Sequence, residues 1–297
     1  MKLLVTGASG LLGRAVMKRL KETSGFSVIG TAFSRAKQPL LRLDLTDYGT
    51  VADFVRTEKP DIIIHAAAER RPDISLKDPD RTRELNVTAT QRLAEVAEET
   101  GAWILFMSTD YVFDGSAPPY LLDSETNPLN LYGKSKLDGE RAILSTSSHR
   151  CVLRVPILYG EVESLEESPI TLIAGSLKKD SPQKIDNWAI RYPTHVDDVA
   201  LAIRRIVEHW VEDPKLGGIY HWSAAEPYTK YDMARLMAPV VGADKDKILA
   251  DDTLPPGALR PKDSHLDTSR LESLGMRNKS FFRESIARIL KPFLPLC

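Results

Sequence analysis

Residues 2–13 have the sequence KLLVTGASGLLG, an apolar run followed by glycines at every third position. Glycine lets the backbone turn tightly and approach a ligand closely, and the amide groups at the start of a following helix attract phosphate. A chain with 17 glycines in 297 residues contains this spacing by chance only about 0.05 times. A strand, a glycine loop and a helix in this order predict a site for the pyrophosphate of a dinucleotide. Its predicted residues are Gly7, Ser9, Gly10, Leu11, Leu12 and Gly13.

Short apolar runs alternate with amphipathic stretches through the first two-thirds of the chain. This alternation is typical of an α/β protein with a doubly wound parallel sheet of the Rossmann type, which binds ligands at the carboxyl ends of its strands. The period of the apolar residues separates strands from helices. Strands are predicted at Leu3–Thr6, Val28–Phe33, Asp61–His65, Trp103–Ser108 and Cys151–Val155, and helices at Tyr48–Glu58 and Glu84–Thr100.

Beyond Val155 the pattern changes, and residues 157–193 are predicted to be irregular. A helix at Val196–Trp210, a strand at Gly218–Trp222, a helix at Lys230–Val240 and an amphipathic segment at Phe281–Leu290 follow. We therefore expect a dinucleotide-binding domain over residues 1–156 with a return segment at 194–222. A smaller, substrate-binding-like domain would comprise residues 157–193 and 223–297.

The composition excludes several classes of function. The 40 Lys and Arg balance the 41 Asp and Glu, so the charge pattern does not favour nucleic acid or an anionic membrane as a partner. The two cysteines have no spacing for a disulfide framework or a zinc site, which fits a reducing compartment. The start does not resemble a signal peptide, and apolar stretches are too short to span a bilayer. We expect a cytoplasmic protein.

The residues after the second predicted strand bear on the choice between NAD and NADP. An acidic residue there would hold a ribose 2′-hydroxyl, whereas an arginine can accommodate a 2′-phosphate. The chain has Phe33, Ser34 and Arg35 and no carboxylate at this position. A solvated basic turn would have the same composition, but the position favours NADP (NADPH). After the third predicted strand, the small side chains of Ala66, Ala67 and Ala68 leave room for a cofactor.

Tyr132 and Lys136 are four residues apart and therefore share one face of a predicted helix. A phenol with a pKa of about 10 is a poor acid–base group at neutral pH, unless neighbouring positive charge favours the phenolate. The lysine ammonium and an oxidised nicotinamide would supply that charge. Thr109, at the end of a predicted strand, can donate a hydrogen bond to a substrate carbonyl. Thr109, Tyr132 and Lys136 are thus the candidate catalytic residues.

Several motifs carry a specific resemblance: the glycine loop, Asn86–Thr90, Ser108–Gly115 and Pro128–Lys134. They resemble an extended short-chain dehydrogenase/reductase of the dTDP-4-dehydrorhamnose reductase branch. Other segments are most similar to the family of regulatory beta subunits of methionine adenosyltransferase, which bind NADP on the same fold and associate with the enzyme that makes S-adenosylmethionine. These segments are His65–Asp73, Arg154–Glu161, Tyr192–Val196, His221–Ser223, Thr229–Ala234 and Arg260–Lys262.

The resemblance implies where the cofactor binds. Arg70, just past the end of a strand, would reach the pyrophosphate, and Asp44 with Leu45 would meet the adenine. The implied cofactor contacts are Ser9 to Leu12, Phe33 to Arg35, Asp44, Leu45, Ala66, Arg70, Tyr132 and Leu158. Lys136 would hold the cofactor ribose together with Tyr132.

Two functions from different classes remain open. One is an NADP-binding regulator that binds the methionine adenosyltransferase catalytic subunit and supports S-adenosylmethionine synthesis. The other is an NADPH-dependent reductase of a 4-keto-deoxysugar nucleotide, with Tyr132 as proton donor. Sugar-nucleotide reductases tend to have His-Thr-Ala-Val-Asp where this chain has residues 69–73, and a tryptophan where it has Ile157. These departures favour the regulator.

The last segment is the candidate partner interface. We expect Phe282 and Ile286 to pack in the core, and the apolar residues after Pro292 to contact a partner. The apolar series comprises Phe281, Phe282, Ile286, Ile289, Leu290, Phe293, Leu294 and Leu296. His195, His221 and Trp222 are interpreted as packed core residues, and no metal site is predicted.

Overall fold

The computed structural model describes residues 1–147, 149–177 and 181–294. In this part of the chain the strands are β1 Lys2–Thr6, β2 Ser27–Ala32, β3 Leu41–Arg42, β4 Ile62–His65, β5 Trp103–Thr109, β6 Cys151–Val155, β7 Leu158–Tyr159, β8 Gln183–Asp186, β9 Thr194–His195, β10 Gly218–His221 and β11 Ile248–Asp251. Seven of them form one parallel sheet in the order β10-β6-β5-β4-β1-β2-β3. Two further parallel pairs are β11 with β8 and β7 with β9.

The α-helices of the described residues are α1 Leu11–Lys21, α2 Tyr48–Glu58, α3 Pro72–Lys77, α4 Pro79–Arg83, α5 Ala89–Thr100, α6 Leu131–Thr146, α7 Thr171–Ser176, α8 Val196–Glu212, α9 Lys230–Val241, α10 Ser269–Ser273 and α11 Phe282–Leu290. A π-helical turn at Glu84–Thr88 precedes α5. Short 3₁₀ turns lie at Asp110–Val112, Leu165–Glu167, Lys245–Lys247 and Lys291–Phe293. None of the helices in the described ranges is both long and apolar enough to cross a bilayer.

The strand order and the parallel pairing confirm the predicted doubly wound sheet. Apolar residues alternate between the two faces of each strand because the side-chain period is two. Leu3 and Val5 of β1 pack in one cluster with α1 and α8, whereas Leu4 packs in another with α2 and α5. Both faces of the sheet are therefore covered, and the carboxyl ends of the strands remain as the place for a site.

A third apolar cluster is built by α7, α9 and α11 rather than by the central sheet. Phe282 and Ile286 of α11 are each only 1% exposed, so the expectation that they pack in the core is confirmed. Ile289 and Leu290 are buried in the same cluster. Phe281 is 58% exposed, Phe293 and Leu294 are half-buried, and Leu296 lies outside the described residues.

The structure corrects three sequence-based expectations. Residues 157–177 and 181–193 are not wholly irregular, since they contain β7, α7 and β8, elements too short to leave a clear period in the sequence. β3 is absent from the predicted strands for the same reason, because it comprises only Leu41–Arg42. The stretch predicted as one helix, Glu84–Thr100, begins with the π-helical turn, within which Asn86 is drawn into a polar network described below.

Phe281 and Phe282 are adjacent, and they differ in burial far more than in chemistry. We expect Phe282→Ala to lower the free energy of unfolding by about 3 kcal/mol, because it leaves a cavity among buried apolar side chains. The matched variant Phe281→Ala should change it by less than about 0.5 kcal/mol. Urea unfolding of both variants measures the difference, and equal losses would contradict the placement of α11 in the core.

Candidate functional site

The glycine loop connects β1 to α1 and packs directly on backbone. Gly7 has φ of 68°, and a Cβ on it would lie 2.8 Å from the nitrogen of Ala67. A Cβ on Gly13 would lie 2.2 Å from the Gly7 carbonyl oxygen. These positions therefore accept only glycine. Gly10 is the N-cap of α1 and has no side chain to cap it, so the first amide groups of the helix are available to an anion.

The ends of three strands are tied to this loop. Ala8 donates its amide hydrogen to the carbonyl of Thr31 in β2 at 2.9 Å. The hydroxyl of Thr6 accepts hydrogen bonds from the amides of Ala66 and Ala67 beyond β4, at 3.2 and 3.3 Å. The predicted loop residues and the three-alanine segment, Ala66–Ala68, are thereby brought together at the carboxyl edge of the sheet.

Asn86 fixes the segment that follows the alanines. Its side-chain amide donates to the Glu69 carbonyl at 2.9 Å and to the Ser135 hydroxyl at 3.0 Å, and its oxygen accepts from the Glu69 amide at 2.8 Å. Asn86 is fully buried in the π-helical turn, a distortion that is frequent at functional sites. One side chain thus connects β4's loop to the helix that carries Tyr132.

Arg35, the predicted determinant of NADP binding, does not lie free in the structure. Its guanidinium donates to the carboxylate of Glu167 at 2.6 Å. Arg14 of α1 binds the same carboxylate through two nitrogens, at 2.9 and 2.6 Å, and donates to the Ser9 carbonyl at 2.9 Å. Although burial opposes ionisation of Glu167, the hydrogen bonds from Arg14 and Arg35 hold its pKa at about 2. The carboxylate is therefore charged throughout the neutral range.

Arg70 approaches the same segment from the other side. Its guanidinium donates to the backbone carbonyl of Glu167 at 2.5 Å. Arg14, Arg35 and Arg70 thus meet around one residue of the short 3₁₀ turn at Leu165–Glu167. We call these three side chains the arginine cluster. They bring concentrated positive charge beside the glycine loop in a chain whose net charge is only -1.

The remaining predicted cofactor residues make local contacts of their own. Phe33 is 46% exposed, and the guanidinium of Arg42 lies 5.5 Å from its ring centroid. Asp44 accepts from the amide and hydroxyl of Thr46, and Leu45 is buried. Ser34 is exposed after β2, and Leu158 lies half-buried in β7. Their roles in binding a cofactor stay predictions.

Tyr132, in the first turn of α6, is half-buried beside Thr109 at the end of β5. Burial raises the pKa of its phenol above the usual value, while a hydrogen bond with Thr109 and the charge of Arg70 oppose this rise. Burial therefore outweighs the positive charge that the protein itself supplies, and the lowering expected from an oxidised nicotinamide stays a prediction. Tyr132 is a neutral phenol at neutral pH.

Lys136 lies one turn further along α6 and is almost fully buried. Its ammonium nitrogen lies 3.8 Å from the centroid of the Phe106 ring. Burial lowers its pKa to about 7, partly opposed by the carboxylate of Glu140. Glu140 is itself held by Arg154, at 2.7 and 2.9 Å, and by the Ser108 hydroxyl. The Lys136 ammonium therefore lies near the buried ion pair between Arg154 and Glu140.

Two segments singled out in the sequence, residues 69–73 and 260–262, contact each other. Arg260 forms an ion pair with Asp73 at 2.5 Å, and Asp73 accepts from the amide of Ala258 at 3.0 Å. The side chain of Asn130, which caps α6, donates to the Leu259 carbonyl at 2.7 Å. The 257–260 loop is thus fastened next to the helix that carries Tyr132.

His195 and His221 are both buried, as expected for packed residues. The carboxylates of Glu161 and Asp197, which no sequence spacing indicated, each lie 3.9 Å from a ring nitrogen of His195. The Nδ1 of His195 accepts from the Asp197 amide, and Arg288 pairs with Glu161 at 2.6 Å. The ligand atoms of the Glu161, His195 and Asp197 side chains lie within 4.8 Å of one another, and the Nε2 of His195 has no hydrogen-bond partner among the described residues, so the prediction of no metal site stays a prediction.

Comparison with known proteins assigns this α/β fold to a family. A model of the RmlD substrate binding domain matches residues 1–294. The chain belongs to this family. Methionine adenosyltransferase 2 subunit beta of Xenopus laevis, a curated relative, is 45% identical over 293 residues, covering 98% of this chain and 87% of the relative.

Solved structures extend this result. A dTDP-4-dehydrorhamnose reductase from Clostridium acetobutylicum has a TM-score of 0.85 and 29% identity, with 99% of both chains covered. A dTDP-4-dehydrorhamnose reductase from Bacillus anthracis, solved in complex with NADP, has a TM-score of 0.82 and 25% identity over 98% of each chain. The resemblance to both the reductase branch and the beta subunits is therefore confirmed for this member of the RmlD family.

Arg14 and Glu167 are the charged residues of this site that sequence reasoning missed. Arg14 directly follows the last glycine of the loop, and this position was the one available signal. Glu167 carries no such signal, because it lies 153 residues from Arg14 in an acidic stretch that has no period.

Proposed function

We propose that this protein is a nucleotide-binding regulatory subunit of beta type, which binds a methionine adenosyltransferase catalytic subunit and supports S-adenosylmethionine synthesis. The observation that carries this proposal is the 45% identity to a methionine adenosyltransferase 2 beta subunit across 98% of the chain. The reductases in the same family are 25–29% identical over comparable lengths. The Asp73–Arg260 ion pair adds support, because it joins two segments that resemble the beta subunits.

The nucleotide is NADP(H) in this proposal. A nicotinamide dinucleotide is supported by the free first turn of α1 and by the NADP bound to the related Bacillus anthracis reductase. The preference for the phosphorylated form rests on Arg35, whose guanidinium stands beyond β2 where a 2′-phosphate would lie. A phosphate monoester accepts two parallel hydrogen bonds from an arginine.

Replacing Arg35 tests the choice of cofactor. We expect Arg35→Ala to weaken NADP(H) binding about tenfold or more and to leave NAD(H) binding nearly unchanged, because a charge-assisted contact to the 2′-phosphate is lost. Arg56→Ala is the matched control, since Arg56 is equally exposed and also pairs with a glutamate, but on α2. Isothermal titration calorimetry gives both affinities. Equal losses for the two nucleotides would refute the role of Arg35.

The partner would contact the apolar residues at the end of the described chain. Phe293 and Leu294 are half-buried after α11, so removing them should leave the third apolar cluster intact. With a net charge of -1, affinity must come from a local apolar patch rather than from long-range attraction. Leu296 belongs to the same expectation but lies outside the described residues.

Truncation tests this surface. A variant lacking residues 292–297 should unfold within a few degrees of the full-length protein but co-elute less with a methionine adenosyltransferase catalytic subunit in size-exclusion chromatography. Leu249→Ala, which shortens an exposed apolar side chain elsewhere, is the control and should co-elute normally. Failure of the full-length protein to co-elute at micromolar concentration would remove the main support for a regulatory subunit.

A second candidate function is an NADPH-dependent reductase of a 4-keto-deoxysugar nucleotide. The specific observation in its favour is that Tyr132 lies close enough to Thr109 for the two side chains to interact, with Lys136 one turn further along the same helix. Nicotinamide would supply hydride from C4, Tyr132 would donate a proton to the carbonyl oxygen, and Thr109 would orient that oxygen.

Turnover separates the two functions. We expect little NADPH oxidation when a dTDP-4-keto-6-deoxysugar is added to the wild-type protein, because residues 69–73 and Ile157 depart from the pattern that sugar-nucleotide reductases tend to have. Absorbance at the reduced nicotinamide band measures the rate, and Tyr132→Phe is the control that should abolish any genuine activity. Rapid oxidation by the wild type that Tyr132→Phe abolishes would place the reductase first.

A further inference from the structure

The segment between β7 and α7 contacts the residues beside the glycine loop mainly through the carboxylate of Glu167. Glu167 accepts hydrogen bonds from Arg14, from Arg35 and from the backbone amide of Glu163, the last at 2.9 Å. Its side chain is 9% exposed, although it belongs to a surface turn of an acidic stretch. Arg14 also donates to the Glu161 carbonyl at 3.3 Å. We call residues 161–167 the acidic strap.

The two arginines on this carboxylate come from two different parts of the nucleotide site. Arg14 extends from α1 just after the glycine loop, and Arg35 follows β2. Both elements deliver positive charge toward the phosphates of a dinucleotide in the proposed site. A carboxylate and a phosphate monoester are alternative partners for one guanidinium, because each offers oxygens that match its fork of donors.

We propose that Glu167 is a specificity-determining residue of the nucleotide site, an internal anion that competes with the 2′-phosphate of NADP(H) for Arg35. This inference rests on the proposed function, namely that the site takes a nicotinamide dinucleotide. It assigns to the acidic strap a role in setting the ratio of the two affinities.

This competition affects the affinity for NADP(H) but not the affinity for NAD(H). NAD(H) has a neutral 2′-hydroxyl, so Arg35 keeps its contact with Glu167 when NAD(H) binds. NADP(H) brings a phosphate of charge about -1.5 to -2, which takes Arg35 and is repelled by the carboxylate it displaces. Arg14 retains Glu167 in both cases, because it also holds the carbonyls of Ser9 and Glu161. Glu167 therefore lowers affinity for NADP(H) selectively.

The opposite role for Glu167, that of a residue that orients Arg35 toward the phosphate, predicts the opposite change in NADP(H) affinity. If Glu167 served to orient Arg35 toward the phosphate, its removal would weaken NADP(H) binding. Arg35 has its contact with Glu167 in the structure and is 50% exposed, so its alternative orientations are open to solvent. The sign of the change in affinity thus distinguishes a competitor from a positioning residue.

The test uses the full-length chain and calorimetric titration with NADP⁺ and NAD⁺. We expect Glu167→Gln to tighten NADP⁺ binding about two- to fivefold, the range appropriate to a half-exposed ion pair, and to leave NAD⁺ binding nearly unchanged. Glu167→Ala, which leaves no amide oxygen to accept from Arg35, should give the same direction. Thermal unfolding of each variant verifies that it is folded.

Glu166→Gln is the matched control. Glu166 lies next to Glu167 on the same 3₁₀ turn and is exposed. The substitution therefore removes the same charge from the acidic strap at a side chain that forms no ion pair with the arginine cluster. It should change neither affinity more than twofold. An equal gain for Glu166→Gln would assign the effect to net charge and overturn the inference.

The remaining outcomes are equally decisive. Unchanged or weaker NADP⁺ binding in both Glu167 variants, or an equal gain for NADP⁺ and NAD⁺, overturns the inference while leaving the proposed nucleotide site in place. If neither nucleotide binds the wild type or any variant, the proposed function fails and the inference fails with it. A gain confined to NADP⁺ in the Glu167 variants supports both.

Discussion

The backbone of residues 7–13 lies against the backbone beyond β4 and against itself, with no space for a side chain between them. A Cβ on Gly7 or Gly13 would lie within 3 Å of backbone atoms. This close approach sets the distance between β1, β4 and the start of α1. It also leaves the first amide groups of α1 unobstructed at the edge where the strands end. Every other group of the site is positioned relative to this contact.

Around that contact the polar groups are distributed in two layers. Buried groups, such as Asn86 and the Arg154–Glu140 ion pair, connect the loops and α6 and keep Thr109, Tyr132 and Lys136 in place. Such buried pairs are costly to break singly, because an unpaired charge would remain. The arginine cluster lies nearer the surface, where Arg35 is 50% exposed and its ion pair with Glu167 is partly screened by solvent. The buried groups therefore hold the geometry of the site more firmly than the arginine cluster does.

The same distinction bears on catalysis and regulation. Members of the RmlD family include reductases and methionine adenosyltransferase beta subunits, and the trio Thr109, Tyr132 and Lys136 is compatible with either. In this chain burial raises the pKa of Tyr132 and lowers that of Lys136 to about 7. Both groups are thereby shifted toward their neutral forms.

The sequence by itself determined the order of strands and helices, the glycine loop and the family. Those features depend on local periodicity and on positions, such as Gly7, where the backbone admits one residue type. It also identified Arg35, which stands at a fixed place after β2. Only the tertiary structure decided what Arg35 contacts, that burial raises the pKa of Tyr132, and that short elements lie within residues 157–177 and 181–193. Glu167 lies 132 residues from Arg35 along the chain, and no local pattern encodes a contact between side chains that meet only when the sheet and the acidic strap come together.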